Sequence, residues 1–329
     1  MILDGQDPAS IAAAAQVLRA GELVGLPTET VYGLAADAAS DTAVAKIFAA
    51  KGRPSNHPLI VHVADAAGVR HFAQAVPDFA NQLMQAFWPG PLTLILPRRP
   101  EVGAATAGGQ DTIGLRCPAH PVAHALLLAC RALDVQGLAA PSANQFGRVS
   151  PTTAAHVQGE FGSDLLILDG GACAVGIEST IIDCTRGAPV LLRPGAITRE
   201  QVQAACGCKL LDEAELAAPA PRASGTLESH YAPRATVRLM DATALQTALD
   251  LLGARTAELS LVVYARAPLR LPPQVLLRRM PDDASAAAHE LFAVLRELDA
   301  QEVKLIWIET PPDVPEWEGV RDRLQRAAA

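Results

Sequence analysis

The chain has 329 residues, half of which are hydrophobic, and its formal net charge is −8 at pH 7. This length exceeds what one ordinary hydrophobic core supports, so it predicts two domains. The acidic total argues against a broad electrostatic surface for nucleic acid, although it leaves room for a local basic pocket.

Helical and extended patterns alternate along the first two thirds of the chain. Helices are predicted over residues 8–20, 41–50, 77–87 and 120–133. Strands are predicted over residues 22–27, 58–63, 91–96, 112–116, 138–140, 165–168, 179–184 and 189–192. Ser150 and Pro151 are expected to begin a short helix, and a capping box at Thr198 and Gln201 opens another, which ends by Gly207. Several strands follow one another with only a turn between them, which predicts a mixed sheet.

The pattern changes between about residues 212 and 235, where Ala and Pro are frequent and no periodicity is strong. A second alternation then predicts strands over residues 236–239, 259–264, 275–278 and 303–309, with helices near 242–252, 284–298 and the C-terminus. We therefore expect three parts: a first domain over residues 1–205, a linker over 206–235 and a small, Rossmann-like parallel α/β domain over 236–329.

Several well-known motifs are missing from the sequence. It contains no phosphate-binding P-loop, no G-x-G-x-x-G after a strand, no H-E-x-x-H and no G-x-S-x-G. The six cysteines include no C-x-x-C pair, so no metal site is predicted and reduced thiols are expected. No segment is long and apolar enough to span a membrane, and no secretory pattern opens the chain. We expect a cytoplasmic protein without a membrane partner.

Polar residues collect instead where the predicted strands and helices end. Thr30 follows the first predicted strand, Lys51 and Arg53 flank a glycine at a helix end, and His62 lies in the next strand. Cations gathered in an acidic protein favour an anionic ligand, most simply a phosphate chain. Simpler interpretations stay open. Cations in the last turn of a helix also complement the helix dipole, and a histidine in an apolar strand is often a core residue.

The same pattern continues further along the chain. Arg116 and Arg193 end later strands, Ser142 and Asn144 lie in a tight turn after another strand, and Ser179 precedes a β-branched strand. Each has an ordinary alternative, a solvated arginine or a local Asx turn. Their joint occurrence at successive element ends favours one binding site at an edge of the sheet.

Together these segments closely resemble the YrdC-like family, the threonylcarbamoyl-AMP synthases. The resemblance covers roughly residues 8–200 and rests on segments in the family's order, at residues 27–34 (PTETVYGL), 51–54 (KGRP), 58–62, 88–93, 116–118, 141–144 (PSAN), 150–152, 178–181 and 192–195. The tetrad HYAP at residues 230–233 and the second α/β domain resemble the long form of the family. The resemblance implies a twisted mixed sheet with flanking helices for the first domain, which would be catalytic.

The resemblance also implies a reaction. L-Threonine, bicarbonate and ATP would give threonylcarbamoyl-adenylate and pyrophosphate, so that the protein would be a nucleotidyltransferase that uses ATP with Mg²⁺. Other proteins, the threonylcarbamoyl transferases, would then use the product to modify an adenosine in tRNA, so that tRNA is an indirect partner.

Residue roles follow from the same resemblance. The catalytic cations would be Lys51 and Arg53. The threonine pocket would be lined by Thr30, His62, Arg116, Ala140 and Ser179. ATP would be contacted by Arg53, His57, Thr112, Ser142, Asn144, Ser150, Arg193 and Tyr231. Tyr231 would arrive from the linker, folded back over the cavity as part of a lid. His57 departs from the pattern, since the family more often has asparagine there.

Two other functions remain as alternatives. A non-catalytic RNA-binding module would bind tRNA with an affinity that falls steeply with salt. A carbamoyl-transfer enzyme would use another acceptor, but such relatives carry zinc-finger and acylphosphatase-like parts that this sequence lacks.

Overall fold

The structure is a computed structural model, and it describes residues 1–216, 220–226 and 231–329. The chain divides into two compact units, Met1–Phe146 with Ser150–Thr226, and Gly147–Val149 with Leu227–Ala329. This division falls within the predicted linker, residues 206–235. Of that linker, residues 217–219 and 227–230 lie outside the described residues, and they include His230 of the HYAP tetrad.

The first unit is built on a large mixed sheet. Its strands are β1 (Ile2–Asp4), β2 (Val24–Leu26), β3 (Gly33–Asp37), β4 (Ile60–His62), β5 (Leu92–Pro97), β6 (Thr112–Arg116), β7 (Leu138–Ala139), β8 (Leu166–Asp169), β9 (Thr180–Asp183), β10 (Val190–Arg193) and β11 (Leu211–Asp212). Their order is β1-β8-β2-β3-β7-β4-β6-β5-β9-β10-β11. Strand β4 is parallel to β6, whereas β5 is antiparallel to β6. The predicted mixed sheet is therefore confirmed.

Helices cover both faces of this sheet. They are α1 (Pro8–Arg19), α2 (Asp41–Lys51), α3 (Ala66–Phe72), α4 (Asp78–Phe87), α5 (Pro121–Arg131), α6 (Ala154–Phe161) and α7 (Arg199–Cys206). Helices α1 and α5 pack their apolar residues into one core cluster, and α2, α3, α4 and α7 contribute to another. Burial of these apolar faces is the main favourable term for this unit.

Local signals explain most of the helix boundaries. The Asp7 carboxylate accepts hydrogen bonds from the backbone N–H groups of Ala9 and Ser10, so α1 begins where the sequence predicted. The capping box of Thr198 and Gln201 is present at the start of α7.

The prediction that Ser150 and Pro151 begin a helix is wrong. Helix α6 begins three residues later, because the hydroxyl of Thr153 accepts a hydrogen bond from the backbone N–H of His156 at 3.3 Å and acts as the N-cap. Ser150 is instead fully buried in the irregular segment before the helix.

The second unit has its own sheet and core. Its described strands are β12 (Thr236–Met240), β13 (Leu261–Ala265), β14 (Leu276–Arg279) and β15 (Leu305–Glu309), with helices α8 (Ala242–Leu252), α9 (Ala284–Ala300) and α10 (Glu318–Ala328). The strands are all parallel, in the order β12-β15-β13-β14. The predicted small parallel α/β domain is confirmed. Short 3-10 helices occur at Glu213–Glu215, Gly253–Glu258 and Pro315–Trp317.

None of the helices in residues 1–216, 220–226 and 231–329 is long and apolar enough to cross a membrane.

Candidate active site

Arg116, at the end of β6, is the centre of the first polar cluster. Its Nη1 donates to the Thr30 hydroxyl at 2.8 Å, and its Nη2 donates to Oε1 of Glu29 at 2.6 Å. Its Nε donates to the Gly90 carbonyl at 3.3 Å. Arg116, Thr30 and Glu29 are all buried. Arg116 and Thr30, two of the five residues predicted to line the threonine pocket, are thus in direct contact.

His62 lies beside this cluster. It pairs with Arg116 across the parallel strands β4 and β6, and its side chain is buried. Burial, reinforced by the Arg116 guanidinium, lowers the pKa of His62 from 6.5 to about 3, so the imidazole is neutral near pH 7. Its Nδ1 has no hydrogen-bond partner among the described residues. A neutral, buried ring nitrogen of this kind is suited to a polar group of a ligand.

Ala140 borders the same region through its backbone. Its N–H donates to the carbonyl of Ile60 at 3.0 Å, which ties it to the strand that carries His62. A Cβ atom placed on Gly33 would lie 3.0 Å from the Ala140 side chain. Glycine at position 33 therefore lets β3 and the segment after β7 approach closely.

Ser179 and Arg193 connect two parts of the site. Arg193 donates to the carbonyl of Ser179 from Nε at 3.1 Å and from Nη2 at 2.9 Å, and its Nη2 also lies 3.3 Å from the Ser179 hydroxyl. The Ser179 hydroxyl is 2.7 Å from that of Thr93. Arg193 is buried and its Nη1 turns to the Ser224 carbonyl at 2.9 Å. Ser179, which is predicted to bind the substrate threonine, is therefore in contact with Arg193, which is predicted to bind ATP.

Lys51 is buried rather than exposed to solvent. Its ammonium donates to the carbonyls of Ser142, at 2.6 Å, and Asn144. Burial, and then the nearby Arg53, lower the pKa of Lys51 well below 10.5. These contacts hold the turn that carries Ser142 and Asn144 against the end of α2, and the backbone N–H of Phe146 closes the arrangement by donating to the Lys51 carbonyl at 2.9 Å.

Arg53 and His57 share an aromatic neighbour. The guanidinium carbon of Arg53 lies 5.7 Å from the centre of the Phe146 ring, and the His57 ring meets Phe146 edge-on at 5.6 Å. Burial, followed by the charges of Arg53 and Arg222, lowers the pKa of His57. The Arg53 Nη2 also donates to the carbonyl of Pro58 at 3.1 Å.

A small pocket opens beside Pro58, the residue whose carbonyl accepts from Arg53. Thr112 and Gln110 line it, and residues 222–224 of the predicted linker cover part of it. The Ser224 hydroxyl lies 3.4 Å from Nη2 of Arg53. Gln110 pairs with the backbone of Arg222 twice, by accepting from its N–H at 2.8 Å and donating to its carbonyl at 3.2 Å. This part of the linker thus lies on the predicted ATP residues.

The remaining predicted residues lie in different places. Ser150 donates a short hydrogen bond to the carboxylate of Glu178, and both side chains are buried. Tyr231 belongs to the second unit, where its ring packs on Phe292 at 5.3 Å and lies under the guanidinium of Arg323 at 5.6 Å. The role of Tyr231 toward ATP stays a prediction.

The structure places several residues at the site for which the sequence predicted no binding or catalytic role. They are Glu29, Thr93, Gln110, Phe146, Glu178 and Ser224. Glu29 and Glu178 each precede a predicted site residue, so their position was the available signal. In the parts of the chain that the structure describes, no group of three or more His, Cys, Asp or Glu side chains is placed to hold a metal ion.

The fold and the site define a class of protein: a two-unit α/β protein whose twisted mixed sheet carries buried arginines, hydroxyls and a neutral histidine at its strand ends. Comparison with known proteins then gives the family. The family model described as Sua5_yciO_yrdC, Telomere recombination, matches residues 16–195. The model described as Threonylcarbamoyl-AMP synthase, C-terminal domain, matches residues 197–329. The chain belongs to the Sua5–YciO–YrdC family and has the domain pair of its long form.

Individual relatives agree with this assignment. The threonylcarbamoyl-AMP synthase of Bacillus subtilis (strain 168) is 38% identical over an alignment of 344 positions, which covers 99% of this chain and 94% of the relative. The structure of Pyrococcus abyssi Sua5 complexed with L-threonine is 35% identical and has a TM-score of 0.87, covering 98% of this chain and 95% of that one. A double-alanine variant of the same protein has a TM-score of 0.90 at 33% identity, covering 100% and 96%. The predicted family and fold class are confirmed.

Proposed function

We propose that the chain is a threonylcarbamoyl-AMP synthase, a nucleotidyltransferase that forms threonylcarbamoyl-adenylate and pyrophosphate from L-threonine, bicarbonate and ATP. The observation that carries the proposal is the contact between Ser179 and Arg193, because it joins the residues expected to bind the amino acid to those expected to bind the nucleotide. The name of the Bacillus subtilis relative and the threonine complex of Pyrococcus abyssi Sua5 support it.

The amino-acid half of the site would lie around Arg116. The guanidinium would bind the carboxylate of threonine, since arginine recognises carboxylates well in buried sites. Thr30 and the neutral His62 would face the polar groups of the substrate. The amino group of threonine, once deprotonated, would condense with bicarbonate to give a carbamate and water.

The carbamate would then act as the nucleophile. One of its oxygens would form a bond to the α-phosphorus of ATP while the bond to the bridging oxygen breaks and pyrophosphate leaves. This chemistry needs no serine or cysteine nucleophile. Catalysis would rest on positioning and on the neutralisation of phosphate charge, for which Arg53 and Arg193 are suited.

Mg²⁺ would accompany ATP. With several cations and no acidic cluster among the described residues, the site fits an ion held mainly by phosphate and water oxygens rather than by a protein cage. When bound, the ion would reduce the negative charge of the phosphate oxygens.

Linker residues 220–226 would form part of a lid over the nucleotide. The contacts of Ser224 with Arg53 and Arg193 support this, because both arginines are expected to bind ATP. Arg222 contacts Gln110, which lines the same pocket as Thr112, another residue expected to bind ATP. A closed lid would exclude water from an adenylate that hydrolyses easily. Threonylcarbamoyl transferases would then take the product for modification of tRNA.

The proposed function is tested with the purified protein, ATP, Mg²⁺, bicarbonate and labelled threonine. Pyrophosphate should be released only when threonine and bicarbonate are both present. Release that does not depend on threonine would contradict the proposal. Binding of tRNA that weakens steeply with salt, without any pyrophosphate release, would favour an RNA-binding module instead.

A further inference from the structure

Glu29 is a buried carboxylate that the reaction scheme above does not use. It lies in the loop between β2 and β3, next to Thr30, and its side chain is 10% exposed. Both of its carboxylate oxygens are engaged. Oε1 accepts from Nη2 of Arg116 at 2.6 Å, and Oε2 accepts from the backbone N–H of Ala119 at 3.1 Å.

The Arg116 side chain is held on three sides. Gly90, Thr30 and Glu29 accept from its Nε, Nη1 and Nη2 respectively. A guanidinium has five N–H donors, so these contacts leave two for a ligand. Because the three acceptors come from two separate segments of the chain, the loop at residues 29–30 and Gly90, they fix both the plane of the guanidinium and its rotation.

We propose that Glu29 is a positioning residue, which orients Arg116 to receive the carboxylate of the amino-acid substrate. This inference rests on the proposed function. Net stability is a weak explanation for the ion pair, because desolvation of two buried charges offsets most of their attraction. Orientation of Arg116 explains the ion pair better. Glu29 also accepts a hydrogen bond from the backbone N–H of Ala119, three residues beyond Arg116, and so it fixes the arginine relative to its own chain segment.

Glutamine cannot replace this double contact. Its amide has one acceptor oxygen, whereas the carboxylate of Glu29 accepts from Arg116 and from Ala119 at the same time. Aspartate keeps two acceptors but is shorter by one methylene. Glu29→Gln therefore removes one acceptor at nearly constant volume, and Glu29→Asp keeps the charge while losing reach.

The test compares the Michaelis constants of full-length variants for threonine and for ATP. Glu29→Gln should raise KM for threonine about tenfold to a hundredfold, the range for losing one hydrogen bond to a charged group. KM for ATP should change by less than about threefold, since uniform loss would indicate a general structural defect. Glu29→Asp should fall between the wild type and Glu29→Gln, and calorimetric titration with threonine should give the same order of affinities.

Two further measurements separate positioning from stability. Tyr32→Phe is the matched control. It removes a buried hydroxyl from the same loop, but this hydroxyl contacts Gly171 and Asp169 rather than Arg116. The KM of this variant for threonine should stay near that of the wild type. In an Arg116→Lys background, Glu29→Gln should have a much smaller effect than in the wild type, because the residue acts through Arg116.

An unchanged threonine KM in both Glu29 variants would overturn the inference, as would equal losses for threonine and ATP. Additive effects of Glu29→Gln and Arg116→Lys would overturn it too. The proposed function stands or falls separately, on whether the wild-type protein consumes threonine at all.

Discussion

The guanidinium of Arg193 donates two hydrogen bonds to the carbonyl of Ser179, from Nε at 3.1 Å and from Nη2 at 2.9 Å. Arg193 ends β10, and Ser179 directly precedes β9, its antiparallel neighbour in the sheet. The pair therefore fixes the boundary between the proposed amino-acid and nucleotide halves of one site. A change at Arg193 should affect the use of both substrates.

Arg193→Ala is expected to lower kcat/KM for pyrophosphate release about a hundredfold, on the order of 3 kcal/mol of transition-state stabilisation. The reason is the loss of a buried cation that is proposed to lie beside the phosphates of ATP, together with the loss of its hydrogen bonds to Ser179. Arg99→Ala is the control, since Arg99 is half exposed and pairs with the exposed Glu101; its rate should change by less than about twofold. Similar losses in both variants would point to a general loss of charge rather than to this contact.

The pKa of His62 predicts a pH dependence of stability. The value is about 3 in the folded protein and about 6.5 in the unfolded chain, so the unfolded chain binds more protons between these values. The free energy of unfolding should therefore fall as the pH drops below 6.5, by about 1.4 kcal/mol per pH unit from this residue alone. Denaturant titrations of the wild type and of His62→Gln at several pH values measure the difference. Parallel curves for the two proteins would contradict the prediction.

His57 should make ATP binding depend on pH below neutrality. Burial, Arg53 and Arg222 lower its pKa from 6.5, so its charge appears only in acid. Protonation would add a positive charge at the proposed phosphate site, and ATP affinity of the wild type should therefore rise relative to His57→Asn as the pH falls. At pH 8 the two proteins should have KM values for ATP within about threefold of each other, because both residues are neutral there. The same pH profile for both would rule out this role.

Gln110 should hold the linker on the proposed nucleotide site. Gln110→Ala removes the paired hydrogen bonds to the backbone of Arg222. We expect faster proteolytic cleavage within residues 220–226 and faster release of the adenylate into solution, because the lid opens more often. Gln82→Ala, an exposed change on α4, is the control. If cleavage and release match the control, linker residues 220–226 do not act as a lid.

Much of the fold could be predicted because the signals are local. Asp7 and Pro8 mark the start of α1, and the strand predicted over residues 112–116 coincides with β6. Strand β3 was missed, since Gly33–Asp37 is rich in alanine and contains no β-branched residue. Its neighbours in the sheet, rather than its own propensity, make it a strand.

The sequence indicated which residues form the site, but it did not indicate which of them contact one another. Lys51 and Ser142 are 91 positions apart, and Arg116 and Glu29 are 87 apart. Both contacts depend on the strand order β3-β7-β4-β6, which places distant segments side by side. Nothing in the spacing along the chain indicates that Lys51 would bind a turn, or that Glu29 would bind Arg116. Such long-range pairings follow from sheet topology.

We propose that one site joins the carbamate of threonine to the α-phosphorus of ATP. Mass spectrometry of the product formed from carbon-13 bicarbonate, unlabelled threonine and ATP tests it most directly. We expect threonylcarbamoyl-adenylate that carries the heavy carbon, formed together with one equivalent of pyrophosphate. Formation of ADP and phosphate, or of an adenylate without the label, would contradict it.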